Sequence, residues 1–295
     1  VDPAKTNTSI VIEGGIFGSS NQPIDGIYAG GSGFMSPSLF YDRGVVPSKY
    51  GGNIYGKAGE TVSTLTITGG TFYCDHGIFA GGRGTDKFYA EDAYAGNPAD
   101  YTELGKTYGN VVLNINGGTM YCNVYGGGAG VAEALLKNTS TYGTLANMAR
   151  LTGNTFVNIG GTAKILSHNG VGGNVYGGGM LAAVDGATTI NISGNAEIEG
   201  NVFGAAQGIT NDVSITTIPH TLTPYLLHTP ENATLFGLVN GNTVVKTSGN
   251  PSINGDIYGG AESAITNGNT SITLNGCTLD GNIYGGGLGA LDCTS

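Results

Sequence analysis

Tryptophan is absent from this 295-residue chain, lysine and arginine together number only 11, and no apolar run approaches the length of a membrane-spanning helix. Against 21 acidic residues, that basic content gives a formal charge of −10. No basic patch is left for nucleic acid or an anionic membrane, so neither is expected as a partner, and no membrane span is expected. Proline is limited to 9 residues and the 55 glycines follow no three-residue period, which excludes collagen and proline-rich disorder. Charge-driven disorder is excluded too, because charged residues make up 11% and patterned hydrophobic residues 39%. The four histidines, His76, His168, His220 and His228, lack the spacing of a zinc site. No metal or cofactor is expected.

Val1-Asp2-Pro3 carries neither an initiator methionine nor a signal-peptide core, and Val1 reads as a mature or trimmed start. Four cysteines, few lysines and no tryptophan suit an exported protein, in which two disulfides are chemically permitted. An extracellular or envelope location is expected.

What the chain does contain is a phrase written seven times: Ile or Val, an aromatic, then small residues that are mostly glycine. The aliphatic members are Ile27, Ile78, Val124, Val175, Val202, Ile257 and Ile283. Each precedes one of Tyr28, Phe79, Tyr125, Tyr176, Phe203, Tyr258 and Tyr284. Ahead of each phrase lies a stretch of alternating apolar and small polar residues, as in Thr189-Ile190-Asn191-Ile192-Ser193-Gly194. Period two with β-branched residues and a glycine stop predicts a strand with aliphatics facing inward and a Thr/Asn/Ser column facing out.

The tightest aromatic spacings are 27 (Tyr176 to Phe203) and 26 (Tyr258 to Tyr284), enough for three short strands and three corners. The array therefore predicts an all-β, single-domain, three-sided parallel β-helix (β-solenoid) of about seven coils, each about 26 residues, with like sides about 4.8 Å apart. In the last coil, Glu262 to Thr266, Ser271 to Asn275 and Thr278 to Tyr284 would be the three strands. Glycine fits the corners, where the chain needs positive φ or close backbone approach. The remaining spacings, 51, 46, 51 and 55, place four insertions on one edge, near residues 32–62, 83–109, 130–153 and 208–241. Within them Val131 to Lys137 and Leu145 to Arg150 are helix-like in composition, whereas Asn53 to Tyr55 and Asp212 to Ile218 read as extended.

Candidate chemistry is sparse. Asp75-His76 brings an acid and a base together, and the plain alternative is a turn at a strand end. Glu197 and Glu199 flank inward Ile198 and would form a carboxylate pair on the outer face, or simply two solvated glutamates. Residues Gly81 to Tyr89 fit a nine-residue calcium-roll pattern once, where such a site needs tandem copies. Cys74 and Cys122 each follow a Gly-Gly-Thr strand end by three residues. Neighbouring coils would then hold them within disulfide reach, as a bond or as two buried thiols. Counting back from the aromatics gives five and three instead, so the register stays open. Cys277 and Cys293 would tie down the C-terminal end. Sequons at Asn7, Asn138, Asn191, Asn232 and Asn269 would permit glycosylation in a host that performs it. The aromatic ladder lies on the strand face opposite the inward aliphatics. Exposed, it would offer rings to glycans or to another molecule; covered, it would serve packing alone. The Thr/Asn face is too irregular for an ice lattice, interrupted by Glu13, Val112, Phe156 and Lys246.

The Gly-Gly-Thr strand ends, with Gly173-Asn174-Val175-Tyr176-Gly177-Gly178-Gly179 and Gly281-Asn282-Ile283-Tyr284-Gly285-Gly286-Gly287, resemble the repeats of adhesin-like surface proteins of gut bacteria and methanogenic archaea. The likeness covers the seven coils, roughly half the chain, and leaves the insertions unmatched. The resemblance implies an extracellular, envelope-associated protein of a type that also serves as sheath or fibre subunits. A first strand within ten residues of Val1 and an end at Cys293-Thr294-Ser295 leave no room for capping helices, so open solenoid edges are expected. The leading expectation is a non-enzymatic structural subunit whose edges pair with copies of itself in an amyloid-like stack. The alternative is a monomeric adhesin binding cell-surface glycans. A polysaccharide-active enzyme ranks below both, because the chain lacks an Asp-Asp pair and is poor in basic residues.

Overall fold

The computed structural model describes residues 7–33, 51–57, 59–84, 87–90, 104–130, 133–136, 147–208 and 236–289. The described residues are all β, with no helix, and nearly every strand pair is parallel. This arrangement is compatible with a β-solenoid.

The alternating segments form one seven-stranded parallel sheet, in chain order: Thr8–Ile12, Thr61–Ile67, Asn110–Ile115, Thr155–Ile159, Thr188–Gly194, Thr243–Gly249 and Thr270–Asn275. Register follows the pattern of the sequence, with Ile12, Ile67, Ile115, Ile159 and Ile192 in one inward column. A one-residue slip would turn that column to solvent, which is why alternation fixes the pairing. A second column of short strands stacks Phe17, Phe72, Met120, Ile165, Ile198, Ile253 and Leu279. A third stacks the seven aliphatics of the repeated phrase in register. The nine-residue strand Thr71–Phe79 runs through both of these columns. All three converge on one apolar core in which Val124, Val175, Val202 and Ile257 have no exposed surface.

Two expectations about the sides of a coil need correction. Thr278 to Tyr284 is two strands, Thr278–Leu279 and Ile283–Tyr284, broken at Asp280-Gly281-Asn282. The break is a polar corner: the Asp256 carboxylate accepts the Asn282 backbone N–H at 2.7 Å, and a side chain at Gly281 would meet the Gly255 carbonyl. The segment Glu262 to Thr266 supplies two isolated bridge positions in place of a strand. Thr107, Leu151, Val184, Val239 and Thr266 form a parallel bridge column. The ends of three predicted insertions therefore belong to the stack.

Asn53 to Tyr55 reads as extended, and Ile54–Tyr55 pairs in parallel with Thr107–Tyr108. The helix-like stretch 131–137 contains a strand instead, Glu133–Leu136, paired in parallel with Lys87–Ala90. Backbone pairing between these two strands overrides local propensity there. Residues 147–149 form a turn in place of a helix, with Ala149 at a φ of 54°. Asp212 to Ile218 lies outside the described residues.

Candidate functional site

Four sets of side chains carry the polar and aromatic features picked out from the sequence. The first is the ladder. Its rings stack from Tyr28 to Tyr284 with centroids 4.6 to 5.0 Å apart, which matches the spacing of paired strands. The rings lie opposite the aliphatic core, as alternation requires, yet that face is not solvent. Phe79, Tyr176 and Phe203 are fully buried. Each has a ring on both sides, and the chain following the glycine phrase returns against the ring edges. Tyr125 donates to Gln207 Oε1 at 2.6 Å and Tyr176 to Glu262 Oε2 at 2.6 Å; Arg83 lies 5.3 Å from the Tyr28 ring centroid. The inner rungs are thus closed to glycans, and only Tyr284, at 45% exposed, offers substantial ring surface. Burial, first of all, pushes the Tyr125 and Tyr176 phenols well above their ordinary range, so both donate as neutral hydroxyls.

Two further ladders, not singled out in the sequence, lock the rungs together. Ahead of the third column, side-chain oxygens of Asn123, Asn174, Asn201 and Asp256 accept the backbone N–H of Asn174, Asn201, Asp256 and Asn282, one rung on, at 2.7 to 3.0 Å. The signal was present as the Asn preceding the aliphatic in the phrase. Across the core, Thr155, Thr188 and Thr243 donate their hydroxyls to the carbonyls of Gly177, Gly204 and Gly259, each at 2.5 Å. Their signal is a threonine opening the alternating strand. Each ladder satisfies polar groups that close stacking would otherwise leave unpaired.

The second set surrounds Asp25 near the N-terminal edge. His76 pairs with Asp25, not with neighbouring Asp75: His76 Nδ1 lies 3.0 Å and Arg83 Nη2 2.9 Å from Asp25 Oδ1, and Tyr28 donates to Oδ2 at 2.7 Å. Burial disfavours the charged carboxylate, but the His76 and Tyr28 hydrogen bonds and the neighbouring positive charges outweigh it. The Asp25 carboxyl is held well below the usual carboxylate range. A depressed folded pKa stabilises above the ordinary value of 3.8, and that contribution is lost as pH falls below it. Asp25→Asn is therefore expected to flatten the acid limb of stability below about pH 4, by less than about 1 kcal/mol because the site is 42% exposed. Denaturant midpoints of both proteins across acidic pH measure this.

The third set is a cleft of about 100 Å³ on the flank, walled by Tyr73, Tyr121 and His168, with Cys74 and Cys122 at its base. Tyr73 and Tyr121 stack at 4.6 Å, and His168 meets Tyr73 edge-on at 5.4 Å. The strand Lys164–His168 turns through Asn169 and Gly170, at φ of 54° and 77°, into an antiparallel hairpin beside the cleft. Cys74 and Cys122 are buried free thiols, the second of the two readings open for them, and not a disulfide. The Cys74 hydrogen bond and burial both push the Cys122 thiol up, which keeps it protonated. Cys277 is a half-buried free thiol; Cys293 lies outside the described residues.

Glu197 and Glu199 do not act as a pair. Lys164 Nζ lies 2.5 Å from Glu197, whereas Glu199 accepts the Ser167 N–H at 2.8 Å and its hydroxyl at 2.9 Å. Of the sequon asparagines, Asn191 is half-buried on the outward face. Its amide donates to Asn158 Oδ1 at 2.8 Å in an outward Asn114-Asn158-Asn191 ladder. Asn7 and Asn269 are exposed, and Asn138 and Asn232 lie outside the described residues. The pattern from Gly81 to Tyr89 crosses undescribed residues, and Arg83 within it serves Asp25. Among the described residues no group of three His, Cys, Asp or Glu side chains converges, and no helix is long and apolar enough to cross a membrane.

The fourth set is the pair of stack edges. On the last rung of the described residues Ile283 is 51% and Tyr284 45% exposed, where their inner counterparts are buried. At the N-terminal edge Ile10, Ile12, Phe17 and Ile27 are only partly covered. Among the described residues no strand pairs with the outer side of Thr8–Ile12 or Thr270–Asn275. Comparisons with protein-family models, curated proteins and solved structures find no match.

Proposed function

We propose that the chain is a β-solenoid of seven coils of about 26 residues with four insertions on one edge, near residues 32–62, 83–109, 130–153 and 208–241. Its role is that of an extracellular, envelope-associated structural subunit. Copies assemble through solenoid edges into a sheath, layer or fibre with continuous β stacking, as in the sheath and fibre subunits suggested by the repeats. The observation that carries the reading is the exposure of the last described rung of the apolar columns, with Ile283 and Tyr284 half exposed. An open parallel edge backed by an unfinished core is a template for another chain unless something covers it. The polar side chains also favour a mechanical role over catalysis: Glu197, Glu199, His76 and the asparagines Asn123, Asn174 and Asn201 are engaged in structural bonds.

Negative-stain microscopy and light scattering of the native protein test this reading. Assemblies at native pH and salt are expected; discrete monomers alone would remove it. The flank cleft favours a second reading, a monomeric surface adhesin. It would bind glycans beside Tyr73 and Tyr121, and glycan-array binding lost on Tyr121→Ala would promote it.

A further inference from the structure

Small residues in two columns of this stack, glycine or alanine, are crowded by the next rung. At Gly126, Gly177, Gly204 and Gly259 none of the backbones is left-handed, yet a Cβ would sit 2.2 to 2.4 Å from a carbonyl oxygen of the following rung. The first two rungs of the column hold Ala29 and Ala80, both buried, so nothing larger than a methyl occupies it. Gly285 holds the same position on the last rung and keeps the glycine, although a Cβ there would meet nothing within 4 Å and its φ is not left-handed. Gly286 repeats the pattern in a column that also holds Ala205: its counterpart Gly260 is crowded at 2.8 Å and it is itself open.

The opposite edge does the same in mirror fashion. Side chains at Gly69 and Gly117 would strike carbonyls of the preceding rung at 2.6 and 2.4 Å, whereas Gly14, in the same column, meets nothing. Both edges thus keep a small residue where only an occupied neighbouring rung would crowd a larger one.

Resting on the self-assembly reading above, we infer that the C-terminal edge of one copy takes the N-terminal edge of a second copy as its next rung. The register is the one that relates rungs within the chain. Residues 270–274 would pair with 8–12, 278–279 with 16–17 and 283–284 with 27–28, following the existing columns. Inward positions then match apolar on apolar: Ile272 meets Ile10, Leu279 meets Phe17, and Ile283 meets Ile27, all incompletely buried in the single chain. Because the two surfaces differ, the contact is heterologous and the assembly is a polar, head-to-tail filament. A symmetric head-to-head dimer would leave Gly285 or Gly14 without a reason.

The test uses the 295-residue chain with Gly285→Val and, separately, Gly14→Val. Each valine enters open space, so circular dichroism and denaturant midpoints should match those of the parent below its assembly concentration and establish that both variants fold. Each variant keeps one good edge and blocks the other. Alone, each should raise the concentration needed for assembly about tenfold or more, a loss of about 1.4 kcal/mol or more per contact. Mixed in equal amounts, the two should give dimers by sedimentation and nothing longer. Filaments from Gly285→Val alone would overturn the inferred register and leave self-assembly standing. Dimers from either variant alone would overturn the polarity. A parent chain that stays monomeric would overturn both readings, and the edge would then await a further coil of a longer polypeptide.

Discussion

Phe203→Ala is expected to cost about 3–5 kcal/mol of folding stability, and Tyr284→Ala less than about 1 kcal/mol, although both remove one ring from the same column. Phe203 is fully buried between Tyr176 and Tyr258, at centroid distances of 5.0 and 4.8 Å. Its removal opens a cavity that stacked neighbours cannot close, because the backbone ladders fix the rung spacing. Tyr284 stacks on one side only, 4.9 Å from Tyr258, and is 45% exposed. Guanidinium denaturation measures the difference, with both substitutions placed in the Gly285→Val background so that assembly does not bury Tyr284. Equal costs at the two positions would mean that the ladder is not a buried stack.

Gly177→Ala should destabilise by about 3 kcal/mol, at the upper end for forcing one methyl into a packed interior. A Cβ there would lie 2.2 Å from the Gly204 carbonyl oxygen and 3.0 Å from Thr188 Cβ. The carbonyl cannot retreat freely, since it accepts the Thr188 hydroxyl at 2.5 Å. Relief of the clash therefore breaks a buried hydrogen bond or separates two rungs, and either costs more than the methyl returns. Gly285→Ala is the matched control. It should change stability by no more than about 0.5 kcal/mol, because nothing lies within reach of its Cβ. Denaturant midpoints of the pair separate crowding by the next rung from any general effect of losing a glycine.

The sequence made the columns legible because period-two alternation and a repeated phrase both report which residues must align. Thr189 to Gly194 announced a strand, and Ile190 and Ile192 went inward, because no other register buries them. The burial of Phe203 was not legible in the same way. Alternation places a ring opposite its aliphatic neighbour but says nothing about whether a later segment returns over that face, and Gln207 and Glu262 reach it from a connection with no strand pattern. The corner at Asp280-Gly281-Asn282 was written in the Asn or Asp preceding five of the seven aliphatics, but such a ladder is a relation between rungs and leaves no local periodicity. Glu133–Leu136 misled for a related reason. Its composition favours a helix, whereas its partner, Lys87–Ala90, lies in another insertion. In the candidate site, Asp75-His76 drew attention as sequence neighbours, yet the His76 partner is Asp25, brought alongside by stacking alone.

Diffraction from oriented native assemblies tests most directly whether the β stack continues from one molecule into the next. Head-to-tail stacking predicts a strong reflection near ~4.8 Å along the long axis of the filament, with the strands running across it. The same reflection perpendicular to that axis, or assemblies in which the solenoids lie side by side with their edges unpaired, would contradict it.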